Sequence, residues 1–157
     1  MTAEVRILAT ALDPAALTAE LSGADGHGDG ALVTFVGRVR DLAGDPVRAL
    51  ELEHYPGMTE KALAAIIARL RAHWPLGRVL VAHRVGRLPP GEPIVFVGVT
   101  AAHRREAFAA CEALMDYLKT EAPLWKKEFT PDGERWVEAR ESDRAAAARW
   151  QATRQDQ

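Results

Sequence analysis

Three groups of cationic side chains carry the chemical content of this sequence. They are Arg38 and Arg40 in GRVR, His103-Arg104-Arg105 in AHRR, and Lys119 with Lys126 and Lys127 in YLKT and WKKE. The second group falls at the expected start of a long helix. A first helical turn leaves backbone N–H groups unpaired and carries partial positive charge, so cations there are unfavourable unless an anion is present. His103, Arg104 and Arg105 together therefore suit a phosphate, with three solvated side chains as the equal alternative. Lys119 lies one turn after Met115 and borders the apolar stripe of the same helix. A lysine at a helix C-terminus also simply satisfies the dipole, and a strand lysine such as Lys126 also serves solubility. Two lysines around one apolar pocket would be different. Each lowers the pKa of the other and burial lowers both, which makes an acid, a base or an amine nucleophile near neutral pH. Arg38 and Arg40, two apart on a strand, point the same way and add charge to one face.

Spacing sets a limit on how these groups combine. Residues 104 and 119 are 119 − 104 = 15 positions apart, about 22 Å along a straight helix at ~1.5 Å per residue. One small ligand hardly bridges both ends within one chain. If both ends serve one site, they come from two copies, so a homodimer with composite sites is expected.

The elements that must hold these groups follow from periodicity and breakers. Val5 and Ile7 alternate in a first strand. Asp13-Pro14 reads as a cap and first turn of a helix carrying Leu17 and Leu21 and closed by Gly23. The run GADGHGDG (23–30) is a flexible loop, with His27 as a solvated side chain. ALVTFVGRVR (31–40) and VRALELEH (47–54) alternate around the loop DLAGDP and read as a hairpin. A helix over about 60–73 is capped by Thr59, with Met58 and Leu63 spaced as a hydrophobic staple. RVLVAHRVG (78–86) and PIVFVGVTA (93–101) are strands, the second central. The long helix over about 103–120 offers Phe108, Cys111, Met115 and Leu118 as one buried stripe. LWKKEFT (124–130) and RWVEAR (135–140) form a C-terminal hairpin, and ESDRAAAARW a last helix capped by Ser142 or Asp143. The mixture of hairpins and crossovers predicts an α+β fold with a mainly antiparallel sheet.

Composition excludes several classes. The 157 residues fit one compact domain, with an apolar share of 48% and a charged share of 27%. The net charge is −2, so no broad basic face for nucleic acid or an acidic membrane is expected, and any anion site must be local. A nucleic-acid reader would need such a face and interleaved aromatics. The single cysteine, Cys111, excludes an internal disulfide, a CxxC pair and a multi-cysteine zinc site, and implies a reducing, cytoplasmic setting. Mid-stripe on a helix it reads as a small buried residue, not a nucleophile. The start MTAEVRILAT is not a signal peptide, and no run approaches the ~18 apolar residues of a membrane span. His54, His73 and His83 lack ligand spacing, and Asp41, Asp45, Glu51 and Glu53 form no magnesium cluster. There is no nucleotide glycine loop and no G-x-S-x-G.

The strings VTFVGRVRD, LELEHYPGMTEKAL, WPLGRV, HRVG, VFVGVTAAHR, MDYLKTEAPLWKKE and DGERWVEARESD together resemble the large, catalytic subunit family of molybdopterin synthase. The resemblance runs from about Gly30 to Trp150. It implies an α/β hammerhead fold with an additional small antiparallel β subdomain, in one domain over 1–157 with a variable segment 1–30 and a hairpin at 124–140. It implies a sulfurtransferase of molybdenum cofactor biosynthesis. Such an enzyme adds two sulfurs to cyclic pyranopterin monophosphate from the thiocarboxylated C-terminus of a small ubiquitin-like partner. It further implies a central homodimer within a heterotetramer, and neither a resident cofactor nor a metal. By the same resemblance Arg38, Val39, Arg40, His103, Arg104, Lys119, Lys126, Lys127 and Glu128 bind substrate, Lys119 and Lys126 are the catalytic pair, and Glu128 orients a neighbouring lysine. Arg38 stands where lysine is frequent, which keeps the charge and alters its reach. A non-enzymatic module holding a phosphorylated metabolite or a partner tail in the same pocket is the alternative class.

Overall fold

The computed structural model describes residues 3–23, 28–41, 43–44, 46–138 and 140–155, with side chains from residue 4 to 151 within those ranges. His27 and Asp45 lie outside the described residues. The elements in order are β1 (Ala3–Leu8), α1 (Pro14–Leu21), β2 (Ala31–Arg38), β3 (Ala49–His54), α2 (Met58–His73), β4 (Leu76–Arg84), β5 (Gly86–Leu88), β6 (Pro93–Ala101), α3 (Arg104–Glu121), β7 (Leu124–Thr130), β8 (Gly133–Val137) and α4 (Glu141–Gln155). The architecture is α+β, as the sequence pattern predicts. The strands form two four-stranded sheets, ordered β1-β4-β6-β2 and β5-β3-β7-β8. Among the described residues only β1 against β4 is parallel, and the other pairings are antiparallel.

The expected hairpin between 31–40 and 47–54 does not form. β2 pairs along its length with β6, from Ala31↔Ala101 to Arg38↔Pro93, while β3 pairs with β5 and β7 in the other sheet. Burial explains the choice. β6 is the most buried strand, and β2 supplies Val33 to the main core on its inward face. Leu50 and Leu52 of β3 instead close a separate core with Val39, Val47, Leu88 and Ile94. The chain changes sheets at a register shift between Gly37 and Arg38. A Cβ on Gly37 would lie 2.8 Å from Val95 Cγ1, so only glycine lets β2 approach β6 there. That shift aims Arg38, Val39 and Arg40 at the junction between the sheets.

The main core lies between the first sheet and helices α2 and α3. The buried stripe of α3 is Ala107, Ala110, Cys111, Leu114, Tyr117 and Leu118, spaced i, i+3, i+4, i+7, i+10 and i+11. Phe108 is off that stripe and 61% exposed, and Met115 is half-buried at its margin. The alanines explain the rotation: small residues let α3 sit close on β6, and the large Phe108 does not fit there.

Thr59 does not act as a cap. Gly57 occupies that position with φ 84°, and its N–H donates to Glu60. The Thr59 hydroxyl is buried; it accepts from the Tyr55 N–H at 2.9 Å and donates to the Pro123 carbonyl at 2.9 Å. It thereby ties the start of α2 to the residue that introduces β7. Met58 is exposed. Asp13 does cap α1, accepting from the Ala16 N–H at 3.1 Å.

Candidate active site

A cavity of about 570 Å³ opens where the two sheets meet the C-terminal end of α3. Its volume lies in the range of small-molecule sites. Arg38, Val39 and Arg40 reach it from the sheet change after β2, Lys119 from α3, and Lys126 and Glu128 from β7. Val39 is buried and fixed by backbone bonds, donating to Glu92 and accepting from Gly91. It therefore holds the two arginines on either side of it at the rim. Apolar walls come from Leu50, Ile94, Met115 and Leu118.

The strand register decides which lysine of WKKE enters. Lys126 lies opposite Leu52 and Glu128 opposite Leu50, on the buried face of the second sheet. Lys127 lies opposite Glu51 on the outer face. There its Nζ pairs with Glu134 at 2.7 Å and sits 5.4 Å from the Trp136 ring, away from the cavity. That pairing holds Lys127 above its ordinary pKa.

Lys126 is perturbed the other way. Burial is the largest cause lowering its pKa, followed by the charge of Lys119, with Arg40 adding to it. Asp143 and Glu128 oppose the shift. The cavity thus holds an ammonium that gives up its proton more readily than an ordinary lysine, beside a second amine. Lys119 is half-exposed and lies 3.9 Å from Asp143. Glu128 accepts from Arg135 Nε of β8 at 2.7 Å, and its charge raises the pKa of Lys126.

Three groups in the wall escaped the sequence reading. Asp143 was visible only as a helix cap; it does accept from the Arg140 N–H at 3.2 Å, but it also faces both amines. Arg140 lines the cavity beside it. His83 lines it from β4 and is 1% exposed. The sequence signal of His83 is a lone polar residue in the apolar run of a central strand.

His103 and Arg104 do not reach the cavity. They stand at the opposite end of α3, where His103 occupies the cap position without a side-chain hydrogen bond to the helix. Cys111 is buried in the core, and burial with the nearby Glu112 pushes its thiol up to about 11, so it stays protonated near neutral pH. Among the described residues no group of acidic, histidine or cysteine side chains could hold a metal ion. No helix among them is long and apolar enough to cross a membrane.

Fold and cavity together define an α+β protein with a cationic pocket built around paired amines. Comparison with known proteins gives the class a family. The family model described as MoaE protein matches residues 7–121. The chain is 67% identical to the molybdopterin synthase catalytic subunit of Salmonella typhimurium over 123 residues, 78% of this chain and 82% of that one. It is 56% identical to the subunit of that name from Pseudomonas aeruginosa over 148 residues, 94% of this chain and 98% of the relative. The solved structure of a molybdopterin biosynthesis MoaE protein from Burkholderia ambifaria superposes with a TM-score of 0.81 at 57% identity, covering 95% of this chain and 98% of that one. The chain belongs to the MoaE family, and it is an enzyme of molybdopterin biosynthesis.

Proposed function

We propose that this chain converts cyclic pyranopterin monophosphate to molybdopterin, taking two sulfurs from the thiocarboxylated C-terminus of a small ubiquitin-like partner. The observation that carries this reading is the convergence of Lys119 and Lys126 on one cavity that also receives Arg38 and Arg40, with the Lys126 pKa lowered by burial and by Lys119. The cavity suits an anionic ring system, and its cations attract an anionic peptide terminus. The name catalytic subunit, carried by the relatives, is that of one part of an assembly.

In this reading each thiocarboxylate sulfur forms a bond to a substrate carbon as the carbon–oxygen bond at that carbon breaks, the displaced oxygen leaving on the opened phosphate ester or as water. A water molecule then cleaves each resulting thioester, leaving the sulfur on the pterin and returning an ordinary carboxylate on the partner, with no change of oxidation state overall. Lys119 and Lys126 stabilise the negative charge that develops on the acyl oxygen, and Lys126 moves a proton. Sulfur arrives with the partner, which accounts for a cysteine that is buried and protonated.

Arg38 and Arg40 hold the phosphate from one side, and His103 and Arg104 of a second copy hold it from the other. Two observations support the second copy. The cations of α3 lie at opposite ends of an 18-residue helix, and only one end reaches the cavity. β2 is an edge strand whose exposed Phe35 borders the cavity and whose Leu32 is also exposed. Lys127 sits outside the cavity, so its part is contact with the partner protein. A reducing, cytoplasmic setting belongs to the same reading.

Incubation with thiocarboxylated partner and cyclic pyranopterin monophosphate tests it, with sulfur in the product counted by mass spectrometry. Two sulfurs per pterin are expected, and binding without sulfur transfer would reduce the protein to a carrier.

A further inference from the structure

Of the polar groups in the cavity wall, His83 alone is almost wholly buried, at 1% exposure. It sits near the end of β4, opposite Val95 of β6 and Ile7 of β1, where a polar side chain is costly. Its ring is held in one tautomer: Nδ1 donates to the Arg84 carbonyl at 2.8 Å. Nε2 is then the ring nitrogen left as a lone-pair acceptor. The other polar groups of the wall are charged: Arg38, Arg40, Lys119, Lys126 and Arg140 as cations, Glu128, Glu138 and Asp143 as anions.

We propose that His83 is a substrate-binding residue whose Nε2 accepts a hydrogen bond from a ring N–H or amino group of the substrate heterocycle. The proposal rests on the reading of this cavity as a pterin phosphate site and adds to it the recognition of the ring. The phosphate end of such a substrate is met by cations, which cannot accept a hydrogen bond; the N–H edge of the ring needs an acceptor. A carboxylate in the position of His83 would pair with Lys126 and raise its pKa. A neutral imidazole accepts without doing so. Burial is the main cause holding the ring neutral, bringing it down to about 4, and the charges of Lys126 on β7 and His54 on β3 add to this. The acceptor is therefore present throughout the neutral range. Its placement selects rings that present an N–H to the cavity wall over isosteric rings that present a lone pair.

The direct test uses the unmodified protein with selectively ¹⁵N-labelled histidine. Addition of cyclic pyranopterin monophosphate should move the His83 Nε2 resonance upfield, as for a ring nitrogen that gains a hydrogen bond, and inorganic phosphate should not. His83→Gln keeps an acceptor and His83→Leu removes it. In the apparent KM for the pterin, His83→Leu should lose on the order of 10-fold, with His83→Gln recovering part of it, while the affinity for the partner protein stays unchanged. An Nε2 resonance that stays still while the pterin binds and is turned over would overturn the proposal and leave the proposed function standing. Failure of the pterin to bind at all would overturn both.

Discussion

The two ends of α3 carry cations in opposite settings. At the C-terminal end Lys119 agrees with the helix dipole, faces Asp143 at 3.9 Å and shares a cavity with Lys126. At the N-terminal end His103 and Arg104 stand against the dipole, outside the cavity and without a capping bond from the His103 side chain. A fold tolerates the second arrangement when an anion offsets it. The contrast teaches that one helix presents its cations in two unlike settings, paired amines beside an apolar pocket at one end and exposed cations at the other. In the proposed dimer, twofold pairing would bring the unlike ends together, so that His103 and Arg104 join Arg38 and Arg40 on the phosphate.

The largest effect should come from the cavity end. Lys119→Ala and Lys126→Ala should each lower kcat by about 100-fold or more, since each removes a charge aimed at the reacting atoms. Circular dichroism and the melting temperature check that the fold is retained. At the other end, Arg104→Ala should raise KM for the pterin on the order of 10-fold to 100-fold, as expected for one charge-assisted hydrogen bond to phosphate, with a smaller change in kcat. Equal losses in kcat at both ends would erase the distinction.

Smaller effects sharpen the cavity end itself. In the resting protein the Lys126 amine should titrate below an ordinary lysine, read by ¹⁵N-detected NMR of Nζ. Lys119→Ala removes a like charge and should raise that pKa; Asp143→Asn removes an opposing charge and should lower it further. The basic limb of the pH–rate profile should move in the same two directions. A Lys126 pKa that neither substitution moves would mean that burial alone sets it. Smallest of all is the outer lysine. Lys127→Ala breaks an exposed pair with Glu134 and should leave the melting temperature nearly unchanged, with chemistry on bound substrate unchanged and any effect confined to affinity for the partner protein.

Much of this was legible in the sequence. Alternation in LWKKEFT shows that Lys126 and Lys127 face opposite ways, and the i, i+15 spacing along one helix separates the two cationic ends. Which lysine turns inward was not legible, because that depends on register against Leu50 and Leu52 of β3, a partner some 70 residues away in the chain. The hairpin expected between β2 and β3 failed for a related reason. Sequence neighbourhood favoured it, but burial of β2 against β6 outweighed proximity. The stripe of α3 was rotated because alanine carries little hydrophobic signal, although Ala107, Ala110 and Ala113 are fully buried. Asp143 and His83 were hidden because their roles come from what surrounds them in space, not from spacing.

Mixing two defective variants, assayed with the pterin well below the KM of either, tests the composite site most directly. One carries Lys119→Ala with His103 and Arg104 intact; the other carries His103→Ala and Arg104→Ala with Lys119 intact. After the two are denatured together and refolded, random pairing makes half of the dimers mixed, each with one complete site of two. Sulfur-transfer activity should therefore recover to roughly a quarter of the unmodified protein. A mixture that forms mixed dimers yet stays as inactive as its components would contradict the account, placing all the cations of one site on a single chain.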